Sequence, residues 1–150
     1  MTGGDAGSVV VGPVGLAQLP ICLQIRRTVF IEAQGVPEAH EIDGLDPECT
    51  HFLVWTGGVA AGTARMRVLG SRAKAERVAV LPAFAGRGLG RRLMEALEAQ
   101  AAARGLSSVV LNAQEQVISF YQKLGYAGQG ALFLEANIQH LAMSKSLDAG

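Results

Sequence analysis

A chain of 150 residues, with 49% apolar and 17% charged side chains, has the size of one domain and is too apolar to be a disordered segment. Its 13 basic and 13 acidic residues cancel, which argues against bulk attraction to nucleic acid or to a membrane surface. Two cysteines, Cys22 and Cys49, make no disulfide framework, and Cys22 reads as a small core residue.

The polar, glycine-rich residues 1–8 read as a flexible start. "VVV" (9–11) reads as a first strand. From Gly15 to about Gln34 the pattern is helical, with Leu19, Leu23 and the Arg26/Arg27–Phe30 turn at spacings of three and four. The longest apolar run, "VVVGPVGLAQLPICLQI", is broken by Pro13 and Pro20. It is shorter than the roughly 20 residues that span a bilayer. No basic residue precedes it, so it does not read as a leader, and a cytoplasmic protein is the expectation.

"GVPEAHEIDGLDPE" reads as a loop. "HFLVWTGGVAAGTARMRVL" reads as a hairpin turning at Thr56-Gly57-Gly58. "KAERVAVL" is a strand that stops at Pro82. Residues 88–104 form a helix with Leu89, Leu93 and Leu97 on one face, closed by Gly105. "SSVVLNA" is a strand, and "QEQVISFYQKLG" a short helix closed by Gly125. "YAGQGALFL" and "IQHLAMSKSL" are two last strands, and 148–150 a tail. No repeat and no second domain is visible, so residues 9–147 are expected to form one domain.

Charge is unevenly spread. Between Arg65 and Arg92 lie eight basic residues and one acid, Glu76; between Thr28 and Ala64 lie six acids and no Lys or Arg. Read by itself, one stretch suits an anion and the other a cation, and solvated surface is the plainer alternative for any single charge.

Strand 75–80, helix 88–104 and strand 107–112 make a strand–helix–strand unit, which normally pairs its strands in parallel through a right-handed crossover. The helix opens on "GRGLGRR" (86–92). Glycine is a weak helix former, and cations oppose the positive end of the helix dipole. A phosphate removes both objections, because glycines let it approach unpartnered N–H groups while the arginines supply countercharge. A glycine-rich turn with surface arginines fits the loop equally well. A dinucleotide fold would place its glycines directly after the strand, and a P-loop requires Gly-Lys-Ser/Thr; neither is present.

"VAVLPAFAGRGLGRRLMEAL" resembles the acetyl-CoA-binding motif of the GNAT acetyltransferase superfamily: a strand, a Pro, then Gln/Arg-x-x-Gly-x-Gly/Ala opening a long helix. Gly88 and Gly90 match its glycines, and Ala85 stands where Gln or Arg is usual. "SFYQKLGY" (119–126) resembles the second family signature. "VFIEAQGVPEAHEID", "LNAQEQVISFYQKLGY" and "FLEANIQHLAM" resemble the ElaA-like branch, with Ala33-Gln34 where that branch usually reads Glu-Gln. The likeness runs from Arg26 to Leu147.

The resemblance implies an α/β (α+β) fold, with a mixed, mostly antiparallel sheet, one splayed parallel pair and helices on both faces. It implies acetyl-CoA as co-substrate and acetyl transfer to a primary amine of a small molecule or peptide, with no metal. Val78, Ala79 and Val80 would pair with the pantetheine arm. Ala85, Gly86, Arg87, Gly88, Leu89, Gly90 and Arg91 would hold the pyrophosphate, and Arg87, Arg91 or Arg92 the 3′-phosphate. Asn112 would lie near the pantetheine amides, unless it is merely an edge-strand cap.

Tyr121 matches the family's general acid, which protonates the departing thiolate. Glu76 is a candidate base, placed by strand alternation on the face of Val78 and Val80, with a surface carboxylate as the alternative. Phe30, Asp43 and His140 would line the acceptor site, though a strand histidine is more often structural. The family often dimerises. A non-catalytic acyl-CoA-binding module is the competing reading, kept open by Ala85 and Ala33; a nucleic-acid binder is disfavoured by the zero net charge.

Overall fold

The computed structural model describes residues 8–147. The expected flexible residues 1–7 and the tail 148–150 lie outside them. Ser8 is already tied down, since its carbonyl accepts the Gly57 N–H at 3.0 Å.

Seven strands form one sheet: β1 (Val9–Val14), β2 (Thr50–Thr56), β3 (Val59–Leu69), β4 (Arg72–Val80), β5 (Ser108–Gln114), β6 (Ala127–Glu135) and β7 (Ile138–Ser146). Their spatial order is β1-β2-β3-β4-β5-β7-β6, and every neighbouring pair is antiparallel except β4–β5. The helices are α1 (Leu19–Arg26), α2 (Glu38–Glu41), α3 (Leu89–Ala103) and α4 (Ile118–Lys123). A wider π-helix, Arg27–Ala33, continues α1. The expected mixed sheet with helices on both faces is what the chain forms.

Strand alternation distributes the core. Phe52, Val54, Ala64 and Met66 face α3, where Leu89, Leu93, Met94 and Leu97 are all buried. Leu53 and Ala79 face the other way, onto Cys22 and Ile25 of α1. α3 stops as its sequence predicts: Gly105 takes a φ of +76°, and the Leu106 N–H reaches back to the Ala101 carbonyl at 3.0 Å.

Two departures from regular strand geometry create the functional region. β4 and β5 pair only from Arg72↔Ser108 to Ala75↔Leu111; beyond that point they diverge. At the same place β4 carries a bulge. Thr63 pairs with Ala79 and Arg65 with Glu76, so three steps of β4 oppose two of β3, and Arg77 sits at φ 55°. The bulge breaks the alternation on which the placement of Glu76 relied. Val78 and Val80 pack on the α3 side, whereas Glu76 points to the opposite face, onto Arg65.

Candidate functional site

A cleft of about 710 Å³ opens where β4 and β5 part. Ala75–Val80 form one wall and Leu111–Gln114 another. The start of α3, the α4 residues Phe120 and Tyr121, the π-helix residues Val29 and Phe30, and the β6–β7 hairpin close it. Because β5 leaves β4 after Ala75, the β5-facing backbone edge of Val78, Ala79 and Val80 has no strand partner. An unpaired strand edge inside a cleft is a template for an extended, amide-bearing ligand.

The glycine loop forms the end of this cleft. Gly86 and Gly88 adopt φ of +78° and +76°, a region that L side chains rarely enter, and Gly88 is the N-cap of α3. No side chain caps the helix, and the first N–H to find a helical carbonyl is that of Arg92, on Gly88 at 3.2 Å. The N–H groups of Leu89, Gly90 and Arg91 therefore face the loop with no acceptor among the described residues, at the positive end of a 15-residue helix. Gly90 has a further reason to lack a side chain: a Cβ there would stand 3.2 Å from Cζ of Phe120. Ala85, Gly86, Gly88, Leu89 and Gly90 line the cleft.

The arginines flank this end without lining it. Arg87 stacks over the Phe84 ring at 5.2 Å, Arg91 pairs with Glu95 at 3.0 Å, and Arg92 faces a shallow groove against β1.

Tyr121 is 7% exposed and faces the cleft. α4 ends in Gly125 at φ +100°, and the N–H groups of Leu124 and Tyr126 both bond the Tyr121 carbonyl, at 3.0 and 3.1 Å. The backbone under the phenol is thereby fixed. Phe120 and Tyr126 meet its ring edge-on at 4.9 and 5.8 Å. Its hydroxyl makes no hydrogen bond to any described residue, and burial pushes its pKa well above the ordinary phenol range. It stays protonated at neutral pH, the state a proton donor requires.

The remaining expected residues separate. Phe30, Asn112 and His140 line the cleft. Asn112 stands at the first position beyond the last β4–β5 pair, and its Nδ2 donates to Glu135 Oε1 at 3.2 Å. His140 is braced within the β6–β7 hairpin, with Nδ1 2.7 Å from the Ile138 carbonyl and its ring stacked on Phe133 at 5.9 Å. Asp43 does not line the cleft. Its carboxylate is held by Arg65 at 2.9 Å and Arg77 at 3.2 Å, and Oδ1 also accepts the Leu45 N–H.

Glu76 borders the cleft with both oxygens occupied: Arg65 lies at 2.7 Å, Arg67 at 3.1 Å and Lys74 at 3.3 Å. Burial raises its pKa, but the hydrogen bonds from Arg67 and Arg65 outweigh it and hold the carboxyl below the usual range. A carboxylate so held is a poor base.

The charge asymmetry of the sequence is resolved within the molecule. Arg26 and Arg65 are both buried; Arg26 binds Glu41 at 3.0 Å and Asp46 at 2.8 Å, and Arg65 binds Asp43, Asp46 and Glu76. Arg77 ties the β4 bulge to the acidic segment through Glu41 at 2.7 Å and the His40 carbonyl at 3.0 Å. Arg65 and Arg77 of the basic stretch are thus spent on Glu41, Asp43 and Asp46 of the acidic one, whereas Arg87, Arg91 and Arg92 stay exposed beside the glycine loop.

Sequence reasoning missed Gln34, Gln114, Gln116 and Glu135 as cleft residues. Gln114 Nε2 donates to Gln34 Oε1 at 2.9 Å, and Gln116 Nε2 to Gln114 Oε1 at 2.6 Å, a bridge between the π-helix and β5. Single polar residues at element ends were the available signal; periodicity carries no information about which ends converge.

The acetyltransferase (GNAT) family model matches residues 19–126. Among curated proteins of Bacillus subtilis, YyaT is 41% identical over 87% of this chain and 90% of its own length. The N-acetyltransferase YjcF is 40% identical over 85% and 92%. Among solved structures, Escherichia coli ElaA superposes with a TM-score of 0.79 at 25% identity, covering 92% of this chain and 98% of that one. An acyl-CoA N-acyltransferase from Pseudomonas aeruginosa gives 0.77 at 28%, with the same coverage.

Proposed function

Because the chain belongs to the GNAT acetyltransferase family, we propose that its cleft binds acetyl-CoA and that the protein transfers the acetyl group to a primary amine of a small molecule or peptide. The observation that carries this reading is the convergence on one cleft of three unsatisfied features: the free N–H groups at the start of α3, the free β4 edge, and the buried, unpartnered phenol of Tyr121.

Each feature fits one part of the co-substrate. The N–H groups of Leu89, Gly90 and Arg91 suit a pyrophosphate, with Gly86 and Gly88 leaving room for it. Ala85 adds no long polar side chain, so the grip is through backbone, assisted by the exposed guanidinium of Arg91. The edge of Val78–Val80 suits the amides of the pantetheine arm, and the Val80 N–H region supplies a donor for the carbonyl oxygen as charge builds on it. Acetyl-CoA supplies an activated thioester. The amine must be neutral when it attacks, and the departing thiolate takes its proton from Tyr121. Burial that disfavours the phenolate also disfavours a free thiolate in the same place, so the two remain matched as donor and acceptor. With Glu76 locked in ion pairs, the nitrogen's surplus proton leaves to water, and water returns a proton to the Tyr121 phenolate.

No helix among the described residues is long and apolar enough to cross a membrane, and the proposal takes in a cytoplasmic setting. The test is thiol release from acetyl-CoA against a panel of primary amines, with acetyl-CoA affinity measured separately. Amine-dependent release is expected. Tight binding without such release would replace the enzyme by an acyl-CoA-binding module.

A further inference from the structure

Three carboxylates border the cleft, and two are already neutralised. Glu41 carries Arg26 at 3.0 Å and Arg77 at 2.7 Å. Glu76 carries Arg65, Arg67 and Lys74. Glu135 has no cationic partner among the described residues; Asn112 Nδ2 donates to it at 3.2 Å. The cations on the cleft wall, Lys74 and Arg77, are in turn consumed by Glu76, Glu41 and Asp43. Glu135, exposed at the rim of the cleft, therefore contributes a negative charge that no cation among the described residues offsets.

Its position is built. Glu135 and Asn112 lie on strands separated by β7, where their register partners, Ile138 and Ala142, are four residues apart. A contact of 3.2 Å between them requires the β6–β7 tip to curl over the end of β5. Two features produce that curl. The β6–β7 register shifts between Gln129 and Phe133, leaving extra residues in β6. The two-residue turn that follows, Ala136 and Asn137, has φ of 52° and 63°, the left-handed pair that matches hairpin twist. The hydrogen bond that His140 Nδ1–H donates to the Ile138 carbonyl, together with the Phe133 stack, stiffens the tip. Asn112 in turn marks the point where β4 and β5 part.

We propose that Glu135 is the residue that selects the acceptor, binding the ammonium form of a cationic amine beside the gap between β4 and β5, with Asn112 as the positioning residue that fixes the carboxylate there. The placing of the acyl group at that gap rests on the acyl-transfer reading above. Selection of a cation is a property of the cleft that can be measured without turnover.

The experiment is a chemical-shift titration of the CoA-loaded protein with n-butylamine at neutral pH, where it is an ammonium, and with n-butanol as the neutral counterpart. The wild-type protein is expected to bind the ammonium about tenfold more tightly, the scale of a hydrogen bond to a charged group. Glu135→Gln keeps an acceptor for Asn112 and removes the charge; it is expected to cut the preference to less than about twofold, with CoA affinity unchanged. Glu135→Asp keeps the charge and is expected to keep most of the preference. Absence of preference in the wild type, or its survival in Glu135→Gln, overturns the assignment. Preserved ammonium selection with no thiol release would leave Glu135 standing and remove the acyl-transfer reading instead. If CoA itself does not bind, that reading fails, and the same titration on the free protein decides Glu135 by the same criteria.

Discussion

Arg65 and Arg91 belong to the same basic stretch of the chain, and the fold uses them in opposite ways. Arg65 is wholly buried, with carboxylates of Asp43, Asp46 and Glu76 at 2.7 to 3.0 Å; its Nε alone is left without an acceptor. Arg91 is mostly exposed, with a solvent-screened partner in Glu95 one helical turn on. Yet the loop beside Arg91 carries the unpartnered backbone donors, while the surroundings of Arg65 are packed with matched charge. Charge density along a sequence therefore does not mark a ligand site. A row of backbone donors left open at a glycine-lined helix start does, because one anion can satisfy them together and meets the positive end of the helix dipole.

The largest expected effect lies on the buried side. Arg65→Met leaves three carboxylates without their shared cation and is expected to lower unfolding stability by about 3–5 kcal/mol, read by urea denaturation. A loss near zero would mean that the network is interchangeable with apolar packing.

On the ligand side, Tyr121→Phe removes a hydroxyl that bonds no described residue, so stability should change by less than about 1 kcal/mol. Turnover should fall by roughly a hundredfold or more, with acetyl-CoA affinity little changed. Unaltered turnover would take Tyr121 out of the acid role.

Gly88→Val places a β-branched residue at φ +76° in front of the free N–H groups. No neighbouring atom lies within 4 Å of a Cβ there, so the damage comes from backbone strain and a blocked approach. CoA affinity measured by calorimetry is expected to drop about tenfold or more; normal affinity would move the pyrophosphate elsewhere.

The smallest effect separates the two regions by pH. Hydrogen bonding to Arg65 holds Asp43 well below the ordinary carboxylate range. For Asp46 and Glu76 burial acts upward and the arginines more than reverse it. Folded values below the unfolded ones mean that the stabilisation is complete above about pH 4 to 5 and is lost as pH falls through the folded values. Stability should be flat from neutrality to about pH 5 and decline below about pH 4. A decline that begins near pH 6 would point to a histidine instead.

Much of the fold was legible in one dimension. Leu89, Leu93 and Leu97 gave α3 its buried face, Gly105 and Gly125 ended their helices, and Pro82 ended β4, because period, capping and left-handed glycine are local properties. The cleft was legible where it is made of backbone: the glycine loop and the parallel strand–helix–strand unit place Gly88 and Val78–Val80 without reference to distant residues. What local pattern could not supply was the bulge at Arg77, which put Glu76 on the sheet face opposite Val78 and Val80 and onto Arg65, and the pairing that spent Asp43 on Arg65.

The amino-acid sequence by itself determined the family, the strand order along the chain and the glycine-rich start of α3, since these rest on contiguous residues; the short helix α2 inside the expected loop was not among them. Only the tertiary structure decided which charges are consumed by one another and which is left over. Arg26, Arg65, Glu41, Asp46 and Glu76 come from five separate elements, and Glu135 reaches Asn112 through a curled hairpin. Coulomb pairing acts through distance in space, and that distance exists only once the sheet has assembled.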